Sequence, residues 1–95
     1  DGSVMILNAP GHTPGHQVLL LRLKNYGPLL LSGDLYHFVK SRELKAIPTF
    51  NIDAAQTLES MEKIEGIITS EKASLWIEHN LALAKTLNLA PEFYD

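Results

Sequence analysis

The sequence contains no cysteine. That excludes a disulfide framework, a thiolate metal ligand and a cysteine nucleophile. No apolar run approaches the ~20 residues that a membrane-spanning helix needs. Positive charge is in short supply. Eight Lys and Arg against eleven Asp and Glu leave a formal net charge of -3, so there is no electrostatic footprint for nucleic acid or an anionic membrane. Nothing in the 95 residues resembles a secretory signal, and the default expectation is a cytoplasmic protein. Internal repeats and low-complexity segments are also absent.

Apolar residues make up 45% and charged residues 20%, the balance of an ordinary globular domain. Residues 1–95 are read as one small domain. At this size a chain buries about two-thirds of the surface it exposes when unfolded, so its stability is easily marginal. Asp1, Gly2 and Ser3 form a turn sequence that leads straight into an apolar run. This opening is expected of a cut within a larger chain.

Val4 to Leu7 is a short, continuous apolar run and reads as a buried strand. Asn8 to Gly15 cannot extend it, because two prolines and two glycines break a ladder or a helix. Gln17 to Leu23 is the next strand, Asn25 to Pro28 a turn, and Leu29 to Leu31 a third strand running into Ser32, Gly33 and Asp34. Two apolar runs joined by a short turn predict an antiparallel hairpin. The strands barely alternate, which predicts cover on both faces of the sheet. Leu35 to Phe50 reads as irregular. A helix is expected from the N-cap Asp53 to about Ser70, with Gln56 placed as in a capping box and Leu58, Met61, Ile64, Ile67 and Ile68 at helical spacing. Leu75 to Ile77 is a fourth strand, Leu81 to Leu87 a last helix, and Pro91 to Asp95 a tail. The class is α/β, more narrowly α+β, with a mostly antiparallel sheet and flanking helices.

The polar residues at the strand ends carry the chemistry. His12 and His16 flank Pro14, so they are not two helix-borne ligands as in HExxH. Asp34 and His79 each follow an apolar run. A hydrolytic zinc site takes histidine nitrogen and carboxylate oxygen and keeps one position open. The metal lowers the pKa of its water to about 7, which makes hydroxide available to attack a carbonyl. His12, Asp34 and His79 form a chemically sensible ligand set, with Asp34 suited to bridging two metals. Three ligands do not fill two sites, so the rest must come from elsewhere. Taken singly, each residue also has an ordinary reading. Asp34 after Ser-Gly suits a turn or a cap, His79 and His37 suit exposed positions, and His16 suits a backbone hydrogen bond. Lys40, Arg42 and Lys45 suit a solvated loop better than an anion site, and Met61 and Trp76 suit the core.

Ala9 to His16 (APGHTPGH) resembles the TPGHTPGH loop of the metallo-β-lactamase superfamily. Gly27 to Asp34 resembles the hairpin that follows it, ending in the bridging aspartate, and Trp76 to Asn80 resembles the late strand ending in the last metal histidine. The helix from Asp53 and the Pro91 to Asp95 tail fit the lactonase-like branch related to N-acyl-homoserine lactonases. The resemblance makes His12 a ligand of one metal, His79 a ligand of the other and Asp34 the bridge and catalytic centre. His16 matches a supporting position. The lactonases place a substrate-holding tyrosine three residues after the bridging aspartate. Here that position is His37 and the tyrosine is Tyr36, so both are carried as supporting residues. An aspartate at position 34 argues against the true β-lactamases that use cysteine there. The family's upstream HxHxDH motif, which supplies the remaining ligands, has no counterpart in this sequence. The chain therefore resembles the C-terminal half of an αββα sandwich, and half a sandwich exposes an apolar sheet face that should find a partner.

The resemblance implies a dinuclear zinc hydrolase acting on an ester, lactone, thioester or amide carbonyl of a small-molecule substrate. Iron or manganese would suit the same donors. The missing ligands would come from an N-terminal half or another chain, and this chain alone would be inactive. The alternative is a non-catalytic truncated fragment that folds by self-association, as a homo-oligomer, or with a partner. Phosphodiester cleavage and iron-dependent redox chemistry are weaker readings. The acidic net charge disfavours the first, and no residue separates iron from zinc.

Overall fold

The computed structural model describes residues 1–95. Four strands form one sheet in the order β1-β2-β3-β4: β1 (Val4–Asn8), β2 (Gln17–Leu23), β3 (Gly27–Leu31) and β4 (Ser74–Trp76). The β1–β2 and β2–β3 pairs are antiparallel, as the two apolar runs and their turn predicted. β4 pairs with β3 in parallel. A parallel neighbour needs a long crossover, and this one runs through a single 3-10 turn (Gly33–Leu35), α1 (Val39–Leu44) and α2 (Ala54–Glu71). A short α3 (Leu81–Ala84) follows β4.

The apolar stripe of α2 makes the core. Met61, Ile64 and Ile68 pack with Val18 of β2, Leu30 of β3, and Ala9, Leu35, Tyr36 and Ile77 beside the strands. The start of α2 is fixed by its cap: the Asp53 carboxylate accepts the Gln56 backbone N–H at 2.8 Å. The Asp53 N–H donates to Gly11 O at 3.0 Å, and so it is not free for the reciprocal half of a capping box. At the other end Lys72 takes the left-handed conformation (φ 52°), and its N–H closes onto the Ile68 and Thr69 carbonyls.

Three expectations need correction. The residues from Leu35 to Phe50 are not irregular throughout, because α1 lies within them. Its cations are paired: Arg42 makes a two-pronged contact with Glu65 (2.6 and 2.8 Å), Lys40 lies 3.5 Å from Glu43 and Lys45 3.8 Å from Glu62. The last helix stops at Ala84, because Thr86 N–H bonds to Leu83 O three residues back and tightens the turn. Third, the second face of the sheet is covered only in part: Leu29, on the same face as Leu21, is buried, but the cover does not reach β1. β1 is the edge strand and is exposed, with Val4 57% and Ile6 63% accessible. Its register places them opposite Leu21 and Leu19, on the face away from Val18 and Leu20. The uninterrupted leucines hid this, since an apolar residue on an exposed strand reads like one in a core. At the β4 end the sheet is flanked by Tyr26 and Tyr94, packed edge-on against Trp76, and the tail is tied down by Asp95 O accepting from Asn25 and Tyr26 N–H.

Tyr36 is fully buried, and its hydroxyl donates to Glu65 Oε1 at 2.8 Å. Burial pushes its pKa up, and the neighbouring carboxylate adds to the effect. The Arg42 hydrogen bond, helped by Tyr36, holds the Glu65 carboxyl below its ordinary value of 4.5. A lowered carboxyl pKa adds stability that is full above the ordinary value and is lost as pH falls through the folded value. Tyr36→Phe should therefore cost ~1 kcal/mol, the net worth of one buried hydrogen bond. Glu65→Gln should flatten the acid limb of a stability–pH curve below about pH 4.5. Chemical denaturation at several pH values measures both, and an unchanged acid limb in Glu65→Gln would sink the assignment.

Candidate metal centre

The site lies where the β1–β2 loop, the end of β3, the segment before α2 and the end of β4 converge. The loop is moored to α2. Ser60 Oγ donates to Pro10 O at 2.7 Å, and Ala9 is completely buried. Gly11 sits at φ +132°, and a Cβ there would meet the Thr57 backbone at 2.5 Å, so only glycine lets the loop lie this close to the helix.

His16 holds the centre together. Its Nδ1 lies 2.8 Å from Ala9 O and therefore donates, so its Nε2 is a lone pair, which accepts the Asp34 backbone N–H at 2.9 Å. Both nitrogens are committed, and His16 orients Asp34 without being available as a ligand. Gly33 makes room for this contact. It adopts φ +53°, and a Cβ on it would lie 2.9 Å from His16 Nε2.

His12 is oriented in the same way by a residue that carries no sequence motif, Asn51. His12 Nδ1 donates to Asn51 Oδ1 at 3.0 Å. The amide is itself oriented, because Asn51 Nδ2 donates to Thr57 Oγ1 (3.1 Å) while that hydroxyl donates to Asp53 O (2.7 Å). The lone pair on His12 Nε2 then faces Asp34 Oδ2 at 3.5 Å. On the other side His79 Nε2 lies 2.6 Å from Asp34 Oδ1. Each carboxylate oxygen thus faces one imidazole. The hydrogen bond from His79 holds the Asp34 carboxyl below its ordinary value of 3.8, against the opposing effect of burial.

His37 also belongs to this group. Its ring stacks on His79 with centroids 4.9 Å apart and planes 9° from parallel, and it lies 5.8 Å from His12. Its Nδ1 is the one buried side-chain nitrogen or oxygen without a hydrogen-bond partner. Burial pushes the imidazole pKa down, helped by the neighbouring His79 and opposed by the Asp34 carboxylate. Tyr36 is elsewhere, in the core against Glu65. Of the six residues singled out in the sequence, the structure brings His12, His16, Asp34, His37 and His79 together. The donor set fits a divalent metal. With Nδ1 turned to Asn51, His12 Nε2 and Asp34 Oδ2 lie 3.5 Å apart, and in the neutral ring both present lone pairs to a shared cation. Their spacing matches the ~3.3 Å between neighbouring donors on a tetrahedral zinc with bonds of ~2.0–2.1 Å. Asp34, His37 and His79 each offer a ligand atom within 4.8 Å of the others.

Residues that orient metal ligands typically contribute ~10–100-fold in affinity. Asn51→Ala should weaken metal binding by that order and leave α2 folded. Isothermal titration with zinc, alongside circular dichroism, tests this. Unchanged affinity would mean that Asn51 does not orient the His12 ring.

No protein-family model matches the chain. It is 36% identical over 94 residues to the N-acyl homoserine lactonase AttM of Rhizobium radiobacter, covering 99% of this chain and 36% of that protein. It is 30% identical over 90 residues to an N-acyl homoserine lactonase from a Bacillus species, covering 95% and 36%. Among solved structures, one of an N-acyl homoserine lactone hydrolase with the product N-hexanoyl-L-homoserine at its catalytic metal centre superposes with a TM-score of 0.88. The identity is 27%, and the match covers all of this chain and 37% of that one. The chain spans little more than a third of the length of the relatives it matches. No helix is long and apolar enough to cross a membrane. The agreement in fold, in loop and in relatives makes this chain a homologue of the N-acyl homoserine lactonases over little more than a third of their length.

Proposed function

We propose that this chain supplies part of the metal centre of a hydrolase, with His12 and His79 on separate metals and Asp34 bridging them. The observation that carries this reading is the Asp34 carboxylate. One oxygen faces His12 Nε2 at 3.5 Å and the other faces His79 Nε2 at 2.6 Å. Zinc is the metal proposed, since two-histidine-plus-carboxylate sets suit it. Iron and manganese would accept the same donors. When bound, the metals supply Lewis-acid polarisation of a carbonyl and acidify water.

The chain's own residues hold that chemistry in place. His16 fixes the backbone of Asp34, and Asn51 fixes the ring of His12. Phe50 lies edge-on to both His12 and His37, at 5.9 and 5.7 Å, on one side of the site. Behind it an open recess of about 440 Å³ is lined by His37, Phe38, Ile47, Pro48 and Phe50. The recess would seat an apolar substituent next to the reacting carbonyl. The relatives' names make a lactone the first substrate to try, with esters, thioesters and amides after it.

The remaining ligands are proposed to come from sequence beyond these 95 residues or from a second chain. The exposed edge strand with Val4 and Ile6 suits either source. The same strand supports the alternative reading, a non-catalytic piece that associates through its sheet.

Asp34→Asn and His79→Ala should each abolish metal retention and lactone hydrolysis in the intact protein, by at least ~100-fold in rate. Elemental analysis after dialysis and a ring-opening assay measure the two effects. A variant that hydrolyses lactone at the wild-type rate without metal would overturn the metal-centre reading. A metal-free, inactive wild-type oligomer would favour the alternative.

A further inference from the structure

We propose that His37 is a metal-binding residue of this protein, joining Asp34 and His79 on one metal. The inference rests on the metal-centre reading above and adds a ligand to it. His37 lies three residues beyond Asp34, and the 3-10 turn followed by extended Tyr36 brings it back over His79. One donor atom from each of Asp34, His37 and His79 falls within 4.8 Å of the other two. That is wider than the ~3.3 Å of a closed tetrahedral set, so the stacked rings must tilt toward the metal.

His37 is free to make that adjustment. Among the four histidines, His16 has both nitrogens committed, and His12 and His79 each aim one at Asp34. No hydrogen bond holds His37, and its buried Nδ1 is the one orphaned side-chain polar atom in the molecule. An unexplained buried polar atom in a native structure points to a missing ion or water. The ring beside it, His79, is itself a proposed ligand, at a stacking distance of 4.9 Å. Two histidines and one carboxylate make a complete protein donor set for a catalytic metal, with the other positions open. His37 differs from the tyrosine expected there by resemblance, so the ligand would be particular to this sequence.

The test is cobalt(II) and zinc binding to the intact protein, with wild type, His37→Phe, His37→Tyr and His79→Ala compared. Binding constants and the visible cobalt spectrum are read together, with circular dichroism as the check on folding. His37→Phe should weaken binding at least ~10-fold, no less than the loss of an orienting residue. It should also change the cobalt spectrum, and His37→Tyr should not restore it. In the wild type, the His37 ring nitrogen resonances should move on zinc binding, a readout that needs no variant. Wild-type affinity and spectrum in His37→Phe, with unmoved His37 resonances, would reject His37 as a ligand. If His79→Ala still lost metal in that case, the metal centre would stand without His37. If His79→Ala also bound normally, the metal-centre reading would fail as well.

Discussion

The candidate site depends on one neutral imidazole held between two backbone groups. His16 donates to Ala9 O and accepts from the Asp34 N–H. The loop after β1 and the turn after β3 are thereby joined across the top of the sheet. Both flanking glycines serve this contact. Gly11 lets the loop press onto α2, and Gly33 lets the turn close under the ring. Without the lone pair on His16 Nε2, the Asp34 N–H would lose its partner and the carboxylate would lose its fixed origin. The distances to His12 and His79 follow from where that backbone sits.

A second layer rests on α2. The helix starts at Asp53, where its first turn is capped, and within that turn Thr57 receives the Asn51 amide that holds His12. The packing of the α2 stripe on Val18 and Leu30 therefore does more than bury apolar area. It sets the height of the helix N-terminus against the loop, and so the direction of the His12 ring. The core and the site share this element, which explains why Thr57 is buried and hydrogen-bonded although it stands in a helix.

Much of this was legible. The GHTPGH loop, the SGD turn and the WIEH strand end carry their own chemistry in order, and the α2 periodicity with Asp53 before it fixes a helix that the structure reproduces within a residue or so. Other features were not legible, for physical reasons. Asn51 acts through one amide in a stretch with no periodicity or motif. The role of His37 depends on a ring stack with His79, 42 positions away in sequence. Tyr36 looked like a displaced active-site tyrosine because it adjoins His37, but an extended residue points its side chain opposite to its neighbour's, and here that direction is into the core. The burial of β1 was misread because apolar runs report hydrophobicity and not what covers it.

On the proposed function, the exposed edge strand and the donors still to be supplied are two forms of the same need. Only 15 of 95 residues are buried, a small core for a chain of this length. The face that carries Val4 and Ile6 gains nothing from facing water. A covering layer would remove apolar surface at ~25 cal/mol per Å², and metal bound only by the native state would add stability through mass action. Either addition favours the folded form over the unfolded one, and each makes the other easier, because a sheet held flat by a covering layer keeps its strand ends in register. On the proposed function, metal binding and covering of the sheet should therefore be coupled, with Asp34 and His79 at the strand ends as the point at which the coupling is felt.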